Sequence, residues 1–163
     1  MRGLWDEGQR VACGGFGRGA QRLGLSGKVG AEEFLRRCEN EHPSTGQRLT
    51  QRLKTTRQDG EDTAANRRIF YDFTFSPPKS VSLAALVGGD QRIRQAHARA
   101  VRSALHEFEA FAATRVRTKN TRSDRLTENL AAALFTHDTS RALDPHLDTQ
   151  CIAFTATFHP TEQ

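Results

Sequence analysis

Two apolar, strand-like runs near the C-terminal end constrain this chain more than any other feature: Leu126–Thr136, LTENLAAALFT, and Thr149–Phe158, TQCIAFTATF. Twelve residues join them, HDTSRALDPHLD, with Asp144-Pro145 as a turn signal inside. A connection of this kind suits an antiparallel pair, because a parallel pair needs a longer crossover that usually carries a helix. In that pair His137 ends the first strand, while Asp148 and Gln150 begin the second and, being two apart, share a face. If the register sets His137 across from them, one imidazole nitrogen, one carboxylate and one amide oxygen surround an open position. His146 joins that face if the turn has already ended there. The alternative is an ordinary turn closed by Asp148 and Thr149, with His137 a hydrogen-bonded interior residue.

A shell poor in nitrogen and rich in oxygen suits Mg²⁺ or Mn²⁺ better than Zn²⁺. A third run, Arg68–Phe75 (RIFYDFTF), reads as a buried central strand with Asp72 in it, ended by Ser76-Pro77-Pro78. Asp72 is then placed to accept a hydrogen bond from a ligand imidazole and fix its tautomer. The sole tyrosine, Tyr71, points away from Asp72 and reads as core. KSVSLAALVGG predicts a helix stopping at Gly88-Gly89, and Asp90 caps a long helix running to about Thr118. Ile93, Ala96, Ala100, Ala104, Phe108, Phe111 and Ala112 follow helical spacing as its inner face.

The preceding region is less regular. Residues 1–30 are glycine-rich, which implies turns around a short helix at Ala20–Leu23. GGFGRG has the spacing of a dinucleotide fingerprint, but the absence of a strand before it weighs against that reading. Ala31–Glu39 is a short amphipathic helix; 42–66 is a polar loop or β-ribbon, with Asp59–Asn66 mobile. The 163 residues suit one domain, 1–163, with its core at 67–158 and an α/β fold: an antiparallel central sheet flanked by helices.

Charge narrows the partner. The net charge is +5, and residues 91–125 hold nine arginines and lysines against three acids. Such a stretch, with Arg115 and Arg117 in it, fits a polyanion such as nucleic acid, a solvated helix face being the alternative. No run is long and apolar enough for a membrane span, and the start of the chain does not read as an export signal. Three scattered cysteines, Cys13, Cys38 and Cys151, point to a reducing cytoplasm and against a disulfide framework or zinc ribbon. Cys151 reads as a small core residue.

Four stretches carry a family resemblance: FGRGAQRLGLSGKV, YDFTFSPPKSVSLAAL, AHARAVRSALHEFEAFAATRVR and TENLAAALFTHDTSRALDPHLDTQCIAFTATF. In this order the chain resembles the relaxase domain of conjugative DNA relaxases of the TrwC/TraI type, within the His-hydrophobic-His nucleases. The resemblance implies a palm shared with replication initiators, and nicking of one DNA strand at the transfer origin of a plasmid or mobile element. It also implies a bacterial cytoplasmic setting and other relaxosome proteins as partners. A tyrosine attacks the scissile phosphate in such proteins, and a divalent cation held by three histidines polarises its oxygens. By position His137 is the first ligand, and the other two histidines fall on Asp148 and Gln150. Asp72 matches the aspartate that orients a ligand histidine or assists the nucleophile. Lys79 and Arg141 fall in phosphate-contacting positions, with surface or capping roles as the alternative. No residue matches the nucleophile, so the chain reads as an internal piece of a relaxase or a shortened relative. A single-stranded DNA-binding module without catalysis and a rolling-circle initiator are the rival readings.

Overall fold

The computed structural model describes residues 12–25, 27–49, 54–56, 64–66, 68–118 and 121–158. In chain order they form β1 (Ala12–Phe16), α1 (Arg18–Arg22), α2 (Ala31–Cys38), β2 (Lys54–Thr56), β3 (Ala64–Asn66) and β4 (Phe70–Phe75). There follow α3 (Lys79–Leu86), α4 (Gln91–Ala110), β5 (Ala113–Thr118), β6 (Thr121–Leu126), β7 (Ala131–Thr139) and β8 (Pro145–Phe154). The main sheet is antiparallel throughout, in the order β1-β7-β8-β4. The hairpin read from the two apolar runs is thus its centre. β2–β3 and β5–β6 are separate two-stranded ribbons.

Alternation along β7 and β8 serves two cores at once. Ala131, Ala133, Phe135, Ile152 and Phe154 face α1 and α2, packing on Ala20, Leu23 and Phe34. The Phe34 and Phe135 rings meet edge to face at 5.0 Å. Ala132, Leu134, Cys151 and Ala153 face the other way, onto Val101 and Leu105 of α4. Burying each large apolar side chain contributes about 1.5–3 kcal/mol. Local signals agree with the helices. Asp90 accepts the Arg92 amide at 3.0 Å as the α4 N-cap, and the Glu33 carboxylate accepts the Gly30 amide at 2.9 Å at the start of α2.

Several sequence expectations need correction. α4 ends at Ala110, and the residues expected to continue it to Thr118 form β5, which pairs with β6. Thr114, Val116 and Thr118 alternate with Arg115 and Arg117, a period of two that the helix-forming arginines obscure. The buried stripe of α4 is Val101, Leu105 and Glu109; Ala96, Ala100, Phe108 and Phe111 lie outside it. Counting alanines as apolar set the phase wrongly.

β4 is an edge strand, neither central nor buried: four of its six residues are exposed. Tyr71, expected in the core, is 47 % exposed. Aromatic residues favour a pleated strand whether or not anything covers them, so composition alone misplaced it. The strands of the hairpin also shift, since Leu126 closes β6 and β8 begins at Pro145, which leaves only residues 140–144 as connection.

The glycine-rich start holds a strand. In β1, a Cβ on Gly15 would lie 1.5 Å from the Leu25 carbonyl oxygen, and Gly17 has φ +93° against the Leu130 carbonyl. These glycines permit close backbone contact, and β1 pairs antiparallel with β7, which is not a dinucleotide-binding unit. Of the stretch expected as a polar loop or β-ribbon, Lys54–Thr56 pairs with Ala64–Asn66 as a ribbon; residues 1–11 and 59–63 lie outside the described residues.

Candidate metal centre

The β7–β8 register places His137 directly opposite Asp148, with Phe135 opposite Gln150. On the far side of β8, Thr74 faces Gln150 and Asp72 faces Ile152. By alternation His137, Asp148, Gln150 and Asp72 share the face that carries the Phe34–Phe135 core, at the end where that core gives way to solvent. The required register therefore holds.

Two atoms in this group are buried and make no hydrogen bond: His137 Nε2 and Asp148 Oδ1. An unpaired buried nitrogen and an unpaired buried carboxylate oxygen are each costly. Placed across adjacent strands, they are a donor set for a cation. Gln150 shares that face and is held by a contact the sequence did not show. Its Nε2 donates to Asp72 Oδ2 at 2.6 Å, which leaves the amide carbonyl oxygen as the atom free to bind. Asp72, expected to orient a histidine, orients the glutamine instead. The contact spans 78 residues of sequence, beyond any local pattern. Among the described residues no three His, Cys, Asp or Glu side chains converge to hold a metal, so a site here needs the glutamine.

Burial pushes the Asp148 carboxyl above its usual value, while His137, His146 and His97 pull it back. β8 begins at Pro145, so the turn ends before His146, but a register shift at His146 and Leu147 interrupts the alternation that would put it on the Asp148 face. On the opposite face His97 Nε2 lies 3.0 Å from Thr149 Oγ1, which in turn lies 3.2 Å from Thr136 Oγ1. Burial also pushes the His97 imidazole down. His97 escaped the sequence reading, although it stands four and eight residues before Val101 and Leu105 on the true inner stripe of α4. Neither buried thiol competes as a ligand or nucleophile, since burial raises Cys38 to about 11 and Cys151 to about 12.

Among the residues assigned to DNA, Lys79 Nζ donates to the Pro145 carbonyl at 2.9 Å. Arg141 is exposed in the turn between β7 and β8. Arg115 and Arg117 occupy β5, with side chains outside the described residues. Tyr71 lies on the other face of the sheet from His137, with its ring stacked on Phe73 at 6.3 Å. It is not brought to the centre.

A family model described as TrwC relaxase matches residues 3–163. This chain belongs to the TrwC relaxase family. It is 44 % identical over 159 residues to the multifunctional conjugation protein TraI of Escherichia coli (strain K12), spanning 98 % of this chain and 8 % of that protein. A metal-bound structure of the conjugative relaxase TrwC in complex with oriT DNA superposes with a TM-score of 0.83 at 37 % identity. That match covers 98 % of this chain and 54 % of TrwC. TrwC complexed with a 27-mer DNA comprising the recognition hairpin and the cleavage site gives a TM-score of 0.80 at 39 % identity, covering 93 % and 51 %. The chain thus spans about half of the solved relaxases and a small part of TraI. The relaxase fold and the conjugation family follow from these matches.

Proposed function

We propose that this relaxase-family chain acts in metal-dependent nicking and strand transfer of single-stranded DNA at a transfer origin. The observation that carries this reading is the orphaned pair, His137 Nε2 and Asp148 Oδ1, facing across neighbouring strands beside an oriented Gln150. The three side chains fit a hard divalent ion, Mg²⁺ or Mn²⁺, because two of the three donors are oxygen. When bound, the cation would supply Lewis-acid polarisation of the scissile phosphate. His137 would offer an imidazole nitrogen, Asp148 would offset part of the positive charge, and Asp72, by accepting from Gln150 Nε2, leaves the Gln150 carbonyl oxygen available as the third donor. Arg141, in the connection beside the site, is assigned to phosphate, and Arg115 and Arg117 on β5 are assigned to the DNA by charge alone. Lys79 is the weakest of the four assignments because its ammonium already serves the Pro145 carbonyl. The setting is a bacterial cytoplasm, with other relaxosome proteins as partners.

The similarity to TrwC bound to oriT DNA supports the substrate class, and its metal-bound form supports a cation. The test is cleavage of an end-labelled single-stranded origin oligonucleotide in Mn²⁺. Expected is one discrete product that vanishes with chelator and in His137→Ala. Cleavage that ignores chelation removes the metal reading.

One observation favours a second reading. The sole tyrosine lies on the wrong face of the sheet, so the residues near the centre supply the cation side of the reaction and no tyrosine nucleophile. A chain that binds the oligonucleotide in chelator and cuts it in no metal is a non-catalytic single-stranded DNA-binding module.

A further inference from the structure

The hairpin ladder is regular from Ala131↔Phe154 through His137↔Asp148, and then shifts so that Thr139 faces Pro145. Two residues of β8, His146 and Leu147, therefore stand opposite the single Asp138 of β7. This is a β-bulge beside the candidate metal centre, and bulges re-aim the side chains next to them. His137 directly precedes Asp138, and Asp148 directly follows Leu147, so the bulge borders both donors.

The bulge is tied down from two helices. The Leu147 amide donates to Ser82 Oγ of α3 at 3.2 Å, and the Pro145 carbonyl accepts Lys79 Nζ at 2.9 Å. On the β7 side, Arg94 of α4 grips both carboxylate oxygens of Asp138, Nη1 to Oδ1 at 2.9 Å and Nη2 to Oδ2 at 3.0 Å. A slip of one residue would turn a strand's donors to the opposite face. A guanidinium fork, unlike an ammonium, fixes the direction of a carboxylate as well as its distance.

We propose that Arg94 is a positioning residue for the candidate metal centre: through its two-pronged hold on Asp138 it keeps the bulge in the register that sets His137 against Asp148. The proposal rests on the metal reading above. The pair is partly exposed, with side-chain exposures of 32 % and 41 %, so its contribution to global stability is small. Its effect belongs to site geometry, and that separates it from a merely structural role.

The experiment titrates the intact chain with Mn²⁺, following free ion by electron paramagnetic resonance, in wild type, Arg94→Met, Arg94→Lys and His137→Ala. Arg94→Met weakens Mn²⁺ binding about 10-fold to 100-fold, the range found when a group supporting a metal ligand is removed. Arg94→Lys, which keeps the charge and loses the fork, weakens it less, and thermal midpoints barely move. In the metal-free chain, amide exchange at His137 and Asp148 accelerates in Arg94→Met while exchange at Ala133 and Ile152 does not. Wild-type affinity in both Arg94 variants, with binding lost in His137→Ala, overturns this proposal and leaves the metal reading standing. No binding by wild type, or full binding by His137→Ala, overturns both. Should Arg94→Met fail to fold, Arg94→Lys decides alone: weakened binding at an unchanged midpoint supports the proposal, and unchanged binding overturns it.

Discussion

The two ends of the β7–β8 ladder are built from the same two strands and serve opposite purposes. At one end Ala131–Phe135 and Cys151–Phe154 are buried without exception. At the other, Thr136–Thr139 and Pro145–Gln150 are mostly half-buried and polar, with two buried atoms left without hydrogen bonds. The closed end converts alternation into two apolar layers. The open end uses that alternation to bring an imidazole and a carboxylate together, then breaks the ladder with a bulge and lashes it to α3 and α4. Stability resides in the first region; in the second, polar groups carry a desolvation cost that binding would offset.

The contrast can be broken from either end, and the largest effect is expected at the closed one. Phe135 is fully buried and meets the Phe34 ring at 5.0 Å. Phe135→Ala should cost about 3–5 kcal/mol of unfolding free energy in a urea titration. A loss under about 1 kcal/mol would mean that the two layers are not the stabilising core. At the open end, Asp148→Asn should abolish Mn²⁺ binding in calorimetry and raise the metal-free thermal midpoint at neutral pH. Burial raises the folded carboxyl's pKa, so the ionised form opposes folding, and the amide removes that cost. A lowered midpoint would contradict this.

The pH dependence follows with its sign. With a folded pKa above the unfolded one, the native state holds the proton more tightly, so the Asp148 contribution to stability falls as pH rises through that pKa. The midpoint advantage of Asp148→Asn should therefore shrink as the metal-free solution is acidified, and an advantage that grows on acidification would refute the burial argument. His97 runs the other way. Its folded pKa is depressed, so the unfolded chain binds the extra proton, and stability should rise with pH up to the ordinary histidine range near 6.5. A His97→Gln variant should lose that slope in thermal melts. The smallest effect concerns Gln150. Asp72→Ala removes the acceptor that orients its amide and should weaken Mn²⁺ about tenfold without changing the midpoint, since the contact is exposed. Wild-type affinity in that variant would show that the glutamine needs no holding.

Much of this division was legible in the residues, and the failures have physical causes. The two apolar runs LTENLAAALFT and TQCIAFTATF announced the hairpin, and the spacing of Asp148 and Gln150 announced their common side, which His137 joins because of the register. What escaped was set by contacts between distant segments. Asp72 meets Gln150 across 78 residues, and Arg94 meets Asp138 across 44. No periodicity reports such pairs. Tyr71 and Phe73 were misplaced because an apolar strand reads the same whether a layer covers it or not. α4 was drawn too long because the arginines of TRVRT suit a helix as well as a strand, and its phase was lost among alanines. The bulge was invisible because one extra residue in β8 leaves no composition signal.

In the proposed centre, one imidazole nitrogen and a majority of oxygen donors share a single hard ion at the open end. Electron spin-echo modulation of Mn²⁺ bound to the chain reads nitrogen ligands directly. Coupling to a single histidine nitrogen is expected, absent in His137→Ala and unchanged in His146→Ala and His97→Gln. Coupling to no nitrogen, or a coupling that survives His137→Ala, would contradict it.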